Sequence, residues 1–98
     1  MGINLTATEN IILENLASGG AMFGLQLVDR DKRLKRGSIY VLLNRLEKKG
    51  FVKTSAEDVQ DPDGLKRRRF IITGKGRKVM LAYGALQTAI GGEFAGAL

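Results

Sequence analysis

Apolar residues recur at helical spacing in four stretches of the chain, and a short alternating stretch separates the last two. Ile12, Leu13 and Leu16, with Ile11 beside them, predict a first helix from about residue 7 to Ala17. Thr6-Ala7-Thr8-Glu9 supplies its capping box, in which Thr6 accepts from the Glu9 amide and Glu9 reaches back. Leu5 stands where it can staple onto the helix, and Gly19-Gly20 ends the run. A second helix carries Met22, Leu25 and Val28, widened by Phe23 and Leu27. Gly24 inside it lowers helix propensity by about 1 kcal/mol relative to alanine, and reads as a close helix–helix contact. Asp29 to Arg33 turns the chain, with Leu34 anchoring the turn.

The third stretch is the clearest. Ile39, Leu42, Leu43 and Leu46 fall at i, i+3, i+4 and i+7 and define one buried stripe, on a helix from about Arg36 to Lys49 that Gly50 closes. Gly37, Val41, Asn44 and Lys48 point directly away from that stripe, with Ser38 and Arg45 on one shoulder and Tyr40 on the other. Phe51 to Thr54 reads as a strand leaving the helix. Asp61-Pro62-Asp63-Gly64 is a strong turn signal, and Lys66 to Ile72 is the returning strand, so the unit is a hairpin with a polar tip. Thr73 caps a last helix in which Val79, Tyr83, Leu86 and Ile90 form a stripe that Gly91-Gly92 ends.

Helix, helix, helix, strand, turn, strand, helix predicts an α+β, mostly α fold: a winged helix-turn-helix with a two-stranded wing and a C-terminal helix. Residues 1–73 form the DNA-binding unit, and residues 74–98 the C-terminal helix and tail, a dimerisation element of the same domain.

Charge sharpens this picture. All sixteen Lys and Arg residues lie between Arg30 and Lys78 together with six acids, a local net charge of +10, whereas residues 1–29 carry −3 and residues 79–98 carry −1. Such polarity focuses a positive field on one surface and suits a polyanion, although a generally basic solvated surface would have the same composition. With neither cysteine nor histidine, disulfides, thiolate and ordinary zinc sites, cysteine nucleophiles and histidine acid/base catalysis are excluded. No paired carboxylates or nucleophile–base spacing stand out, so no enzyme activity, cofactor or metal is expected. No apolar run approaches the roughly 18 residues of a membrane span, and a cytoplasmic protein is expected.

The outward face of the third helix supplies the candidate chemistry, because an α-helix fits the major groove of B-DNA. Ser38, Val41, Asn44 and Arg45 are candidates for base edges, since Asn pairs with adenine, Arg with guanine, and Val lies against a thymine methyl. Lys35, Arg36 and Tyr40 are candidates for phosphate contacts, and the outward-facing Lys48 is a further DNA-binding candidate. An ordinary solvated helix face is the competing reading of these residues, and for Tyr40 a cover over the core edge. In the wing, Lys66-Arg67-Arg68-Arg69 cannot all be buried, because each desolvated charge costs several kcal/mol. Alternation sends Arg67 and Arg69 to one face as DNA contacts, and Arg68 to the face of Phe70 and Ile72, where its stem packs and its head snorkels. A solvated edge strand protected by its charges would look the same. Val79, Tyr83, Leu86 and Ile90, joined by Ile11 and Phe94, are candidates for burial against a second subunit, or else for folding back on their own domain. A two-fold dimer would place two third helices about one DNA turn apart, matching a palindromic operator.

These motifs resemble those of the PadR family of winged-helix transcriptional regulators. Gly37-Ser38-Ile39-Tyr40 is similar to a Gly-Thr-Leu-Tyr-like motif there, and Leu42 through Gly50 to its Leu-x-x-Leu-Glu-x-x-Gly continuation. Phe70-Ile71-Ile72-Thr73 with Gly76 resembles the family's Tyr-x-Ile-Thr-x-x-Gly at the end of the wing. The resemblance covers roughly residues 7–82 and implies a DNA-binding repressor that dimerises through its C-terminal helix and, commonly, its first helix. Lys35-Arg36 replaces a Ser-Pro pair often found before the Gly, and Val41 replaces a proline often found after the Tyr, so operator sequence does not carry over. The C-terminal part is short for a large effector pocket, and whether an effector exists is left open. The leading expectation is a sequence-specific dimeric repressor acting by promoter occupancy. A winged-helix protein–protein adaptor and a nonspecific architectural DNA-binding protein remain as alternatives.

Overall fold

The computed structural model describes residues 4–55, 59–60 and 66–97, with side chains at 59–60, 66–67 and 88–97 outside that description. The Asp61-Pro62-Asp63-Gly64 turn expected at the wing tip lies outside the described residues.

Helix α1 spans Ala7–Gly19, two residues beyond the expected end. Its capping box is formed: Glu9 N donates to Thr6 Oγ1 at 3.2 Å and Thr6 N to Glu9 Oε1 at 2.9 Å. The helix stops at Gly20, which adopts φ +79° and donates its amide to Leu16 O. Met22–Phe23, expected to open the second helix, instead forms a short strand, β1, and helix α2 is confined to Gly24–Arg30. Helix α3 spans Ile39–Lys49. Arg36 to Ser38 belong to the turn before it, where Lys35 O accepts from both Ser38 N and Ile39 N. Gly50, at φ +81° in the left-handed region, ends α3, with its amide on Glu47 O and Phe51 N on Leu46 O.

The outgoing arm of the wing holds β2 (Val52–Thr54) and β3 (Val59–Gln60), and the returning arm β4 (Lys66–Arg67) and β5 (Arg69–Ile72). Strand β5 is central to a three-stranded antiparallel sheet of order β1-β5-β2, with Met22↔Phe70 on one side and Thr54↔Phe70 on the other. The sheet thus has one more strand than the two-stranded wing expected from sequence. Strands β3 and β4 pair separately, Val59 with Arg67.

Helix α4 runs Gly74–Ala97. Thr73 starts it, accepting from Gly76 N at 3.0 Å and donating to Gly50 O at 2.6 Å, so one hydroxyl joins the start of α4 to the end of α3. Gly91-Gly92 does not end the helix as expected. Two glycines cost about 2 kcal/mol of propensity against alanine, but no proline follows and the residues beyond keep the backbone helical.

The core gathers Leu5, Ile12, Leu13 and Leu16 of the first helical unit, Met22 and Leu27, Leu34, Ile39, Leu43 and Leu46 of α3, and Phe51, Val52 and Phe70 of the sheet. Leu42 of the expected stripe is only half-buried against it. The arrangement is a winged helix-turn-helix, mostly α with a small antiparallel sheet. Among the described residues, no helix is long and apolar enough to cross a membrane.

Candidate nucleic-acid interface

Burying Ile39, Leu43 and Leu46 leaves the opposite side of α3 in solvent. Tyr40 is 55% and Val41 54% exposed, and Asn44, Arg45 and Lys48 are exposed as well. Ser38 is half-buried, with its hydroxyl 3.5 Å from Lys35 O, while Lys35 and Arg36 are exposed on the turn leading into the helix. The side chains of Lys35, Arg36, Arg45 and Lys48 make no hydrogen bond or ion pair among the described residues.

Other cations are committed internally, a division that sequence could not show. Lys49 Nζ lies 3.0 Å from Glu9 Oε2, joining the end of α3 to the start of α1. Arg33 Nη2 pairs with Asp31 Oδ2 at 2.7 Å, and the Arg33 guanidinium together with the Asn15 amide holds the Asp31 carboxyl well below the usual carboxylate range. Arg30 donates to Asn15 Oδ1 and Ser18 Oγ, both at 3.1 Å, tying α2 to α1. These ties hold the helix-turn-helix in place and leave the exposed face of α3 to its unpaired lysines and arginines.

Tyr40 is placed by Gly24. A Cβ at Gly24 would lie 2.8 Å from Tyr40 Cε1 and 3.4 Å from Leu43 Cδ1, so the missing side chain lets the Tyr40 ring lie against the start of α2. This is the close helix–helix contact expected at that glycine.

In the wing, Arg69 is half-buried and its guanidinium stands 5.0 Å from the centroid of the Phe23 ring, its cross-strand neighbour on β1. Arg68, between β4 and β5, is exposed. Together with Phe23, Gly24, Leu25, Tyr40, Asn44, Glu47 and Phe70 it lines a cleft of about 340 Å³ between α3 and the root of the wing. Sequence reasoning passed over Glu47. Its i+7 spacing from Tyr40 was the available signal, since residues seven apart lie on the same side of a helix. The side chain of Arg67 lies outside the described residues.

The dimerisation candidates divide. Ile11, Val79 and Tyr83 are half-buried against the protein's own core, and α1 lies along α4. Leu86 is 50% exposed, as is Leu81 at 67%, and the side chains of Ile90 and Phe94 lie outside the described residues. Among the described residues, no group of three or more acidic side chains could hold a metal ion.

The comparisons fit this geometry. The model of the transcriptional regulator PadR-like family matches residues 12–82. No curated protein sequence matches the chain significantly. Among solved structures, the YusO protein from Bacillus subtilis superposes with a TM-score of 0.81 at 17% identity, covering 98% of this chain and 64% of that one, so the chain spans somewhat less than two-thirds of YusO. A PadR family transcription regulator from Clostridium difficile R20291 gives 0.76 at 19% identity over 92% of this chain and 96% of that one. A padr family transcriptional regulator from Eggerthella lenta gives 0.77 at 18% identity over 92% and 80%. These likenesses establish the fold, and the match of the family model over most of its length establishes that this chain belongs to the PadR-like family of transcriptional regulators, which bind DNA.

Proposed function

We propose that the protein is a sequence-specific regulator that binds double-stranded DNA as a homodimer and represses by occupying a promoter. The observation that carries this reading is the outer face of α3. Val41, Asn44, Arg45 and Lys48 stand exposed on a helix whose opposite side is packed in the core, and among the described residues their side chains have no partner. Set in a major groove, Ser38, Val41, Asn44 and Arg45 read base edges, while Lys35, Arg36, Tyr40 and Lys48 hold phosphates. The wing adds Arg67 and Arg68. Arg69, whose head rests on Phe23, braces β5 against β1 and adds its positive charge to the field that the wing presents to the DNA backbone.

Dimerisation uses the exposed apolar residues of α4, Leu86 foremost, with Ile90 and Phe94 further along the same helix and the edge of Ile11 beside it. Val79 and Tyr83 contribute from their half-buried positions. Two-fold pairing sets two α3 helices against a palindromic operator.

Asn44→Ala and Lys48→Ala test the division of roles on an operator-containing and a random duplex. Asn44→Ala lowers the preference for the operator by about tenfold or more, the value of one good base contact, and leaves random binding nearly intact. Lys48→Ala weakens both duplexes alike and reduces the salt slope by about one. Equal losses on both duplexes from both variants contradict the assignment.

A further inference from the structure

We propose that the cleft between α3 and the wing root is a binding site for a small aromatic zwitterion, a molecule of amino-acid size bearing an ammonium, a carboxylate and one flat ring system. Glu47 and Arg68 bring opposite charges to the same cleft, and no ion pair joins them among the described residues. Phe23, Tyr40 and Phe70 give the same cleft its aromatic lining. A ligand of one sign, lying on these rings, would meet one of the two side chains as a counter-charge and the other as a like charge. A zwitterion satisfies both, its ammonium on Glu47 and its carboxylate in the fork of Arg68. The Asn44 amide supplies a donor and an acceptor on the same wall.

Part of the wall is formed before any ligand arrives: Arg69 stands over Phe23 and Phe70 is buried in the sheet, so the ordering cost of binding falls on Tyr40, Glu47 and Arg68. The cleft, at about 340 Å³, lies at the small end of ligand sites, which favours one ring system over a larger ligand. The occupant covers Tyr40 and Asn44. On the DNA-contact reading given above, ligand and duplex therefore exclude one another directly, with no conformational relay. The site itself does not depend on that reading.

The chain has no tryptophan, so in a titration of L-tryptophan the indole emission reports the probe alone. L-Tryptophan is expected to bind saturably, and Glu47→Gln and Arg68→Gln each to weaken it by about tenfold, the loss of one charge-assisted contact. Tryptamine should respond only to Glu47→Gln, and indole-3-propionate only to Arg68→Gln. Both side chains are exposed, so both variants keep the fold, which circular dichroism verifies. No saturable binding of any of the three probes up to about 5 mM, or binding indifferent to both substitutions, overturns the site. Adding a duplex that the protein binds should weaken L-tryptophan in proportion to DNA occupancy. Tryptophan bound with unchanged affinity on the DNA complex upholds the cleft and overturns Tyr40 and Asn44 as DNA contacts.

Discussion

Glu9 has no exposed surface, yet it closes the capping box of α1 and meets Lys49 at 3.0 Å. Burial pushes its carboxyl toward the protonated form, but the Thr6 amide and the Lys49 ammonium outweigh that cost and hold its pKa below the ordinary value of 4.5. The folded chain therefore binds this proton less tightly than the unfolded chain. The pair's contribution to stability is complete above about pH 4.5 and is lost as pH falls through the lower folded value. Asp31, held low by Arg33 and Asn15, adds to stability loss in the same direction. Urea unfolding across pH 3–7 checks this, and Glu9→Gln should flatten the acid limb. Lys49→Ala leaves a buried carboxylate without its counter-charge and should cost about 2–3 kcal/mol at neutral pH by the same measurement, at or below the usual range because Lys49 is only half-buried. The capping box was legible because Thr-x-x-Glu is a local pattern. The pair was not, since positions 9 and 49 meet only when α1 and α3 pack.

At the scale of elements, the helices follow from periodicity, and the strand at Met22–Phe23 and the run of α4 past its glycine pair show the limits of that signal. Two residues cannot display alternation, so Met22-Phe23 looked like the start of a helix. What makes them a strand is the central position of β5, whose open edge pairs with them across the chain. The glycine pair in α4 shows the converse, a stop signal that fails for want of a competing turn. Gly76 matters more for packing: a Cβ there would run into the Phe51 carbonyl oxygen, a backbone atom that cannot swing aside. Gly76→Ala should therefore destabilise by about 2–3 kcal/mol, visible as a lower Tm. Gly24→Ala meets the side chain of Tyr40 instead, which is 55% exposed and able to move. That variant should lose less than about 1 kcal/mol of stability while weakening duplex binding, because the displaced ring belongs to the proposed interface. A lower Tm with unchanged DNA affinity would remove Tyr40 from the interface.

Across the whole molecule, the charge polarity seen in the sequence becomes a division of labour. The basic middle of the chain supplies α3, the wing and the cationic first turn of α4, and the weakly acidic ends supply α1 and the rest of α4, with α1 lying against α4. Sequence could locate the positive region but not its spent members, because Arg30, Arg33 and Lys49 are paired by tertiary contacts. Nor could it settle how far the stripe on α4 turns inward: Val79 and Tyr83 pack on the protein's own core, and Leu86 stays half exposed. Leu86→Glu should leave Tm nearly unchanged and shift the sedimenting species from dimer to monomer, since a carboxylate cannot be buried there without a partner. A dimer that survives this substitution places the interface elsewhere. The central claim is specific recognition of DNA. Its most direct test is the affinity for the duplex upstream of the protein's own gene against a scrambled duplex of equal length, at two salt concentrations. A preference of about a thousandfold that persists at the higher salt is the expected result, whereas equal and steeply salt-dependent binding of the two duplexes would contradict it.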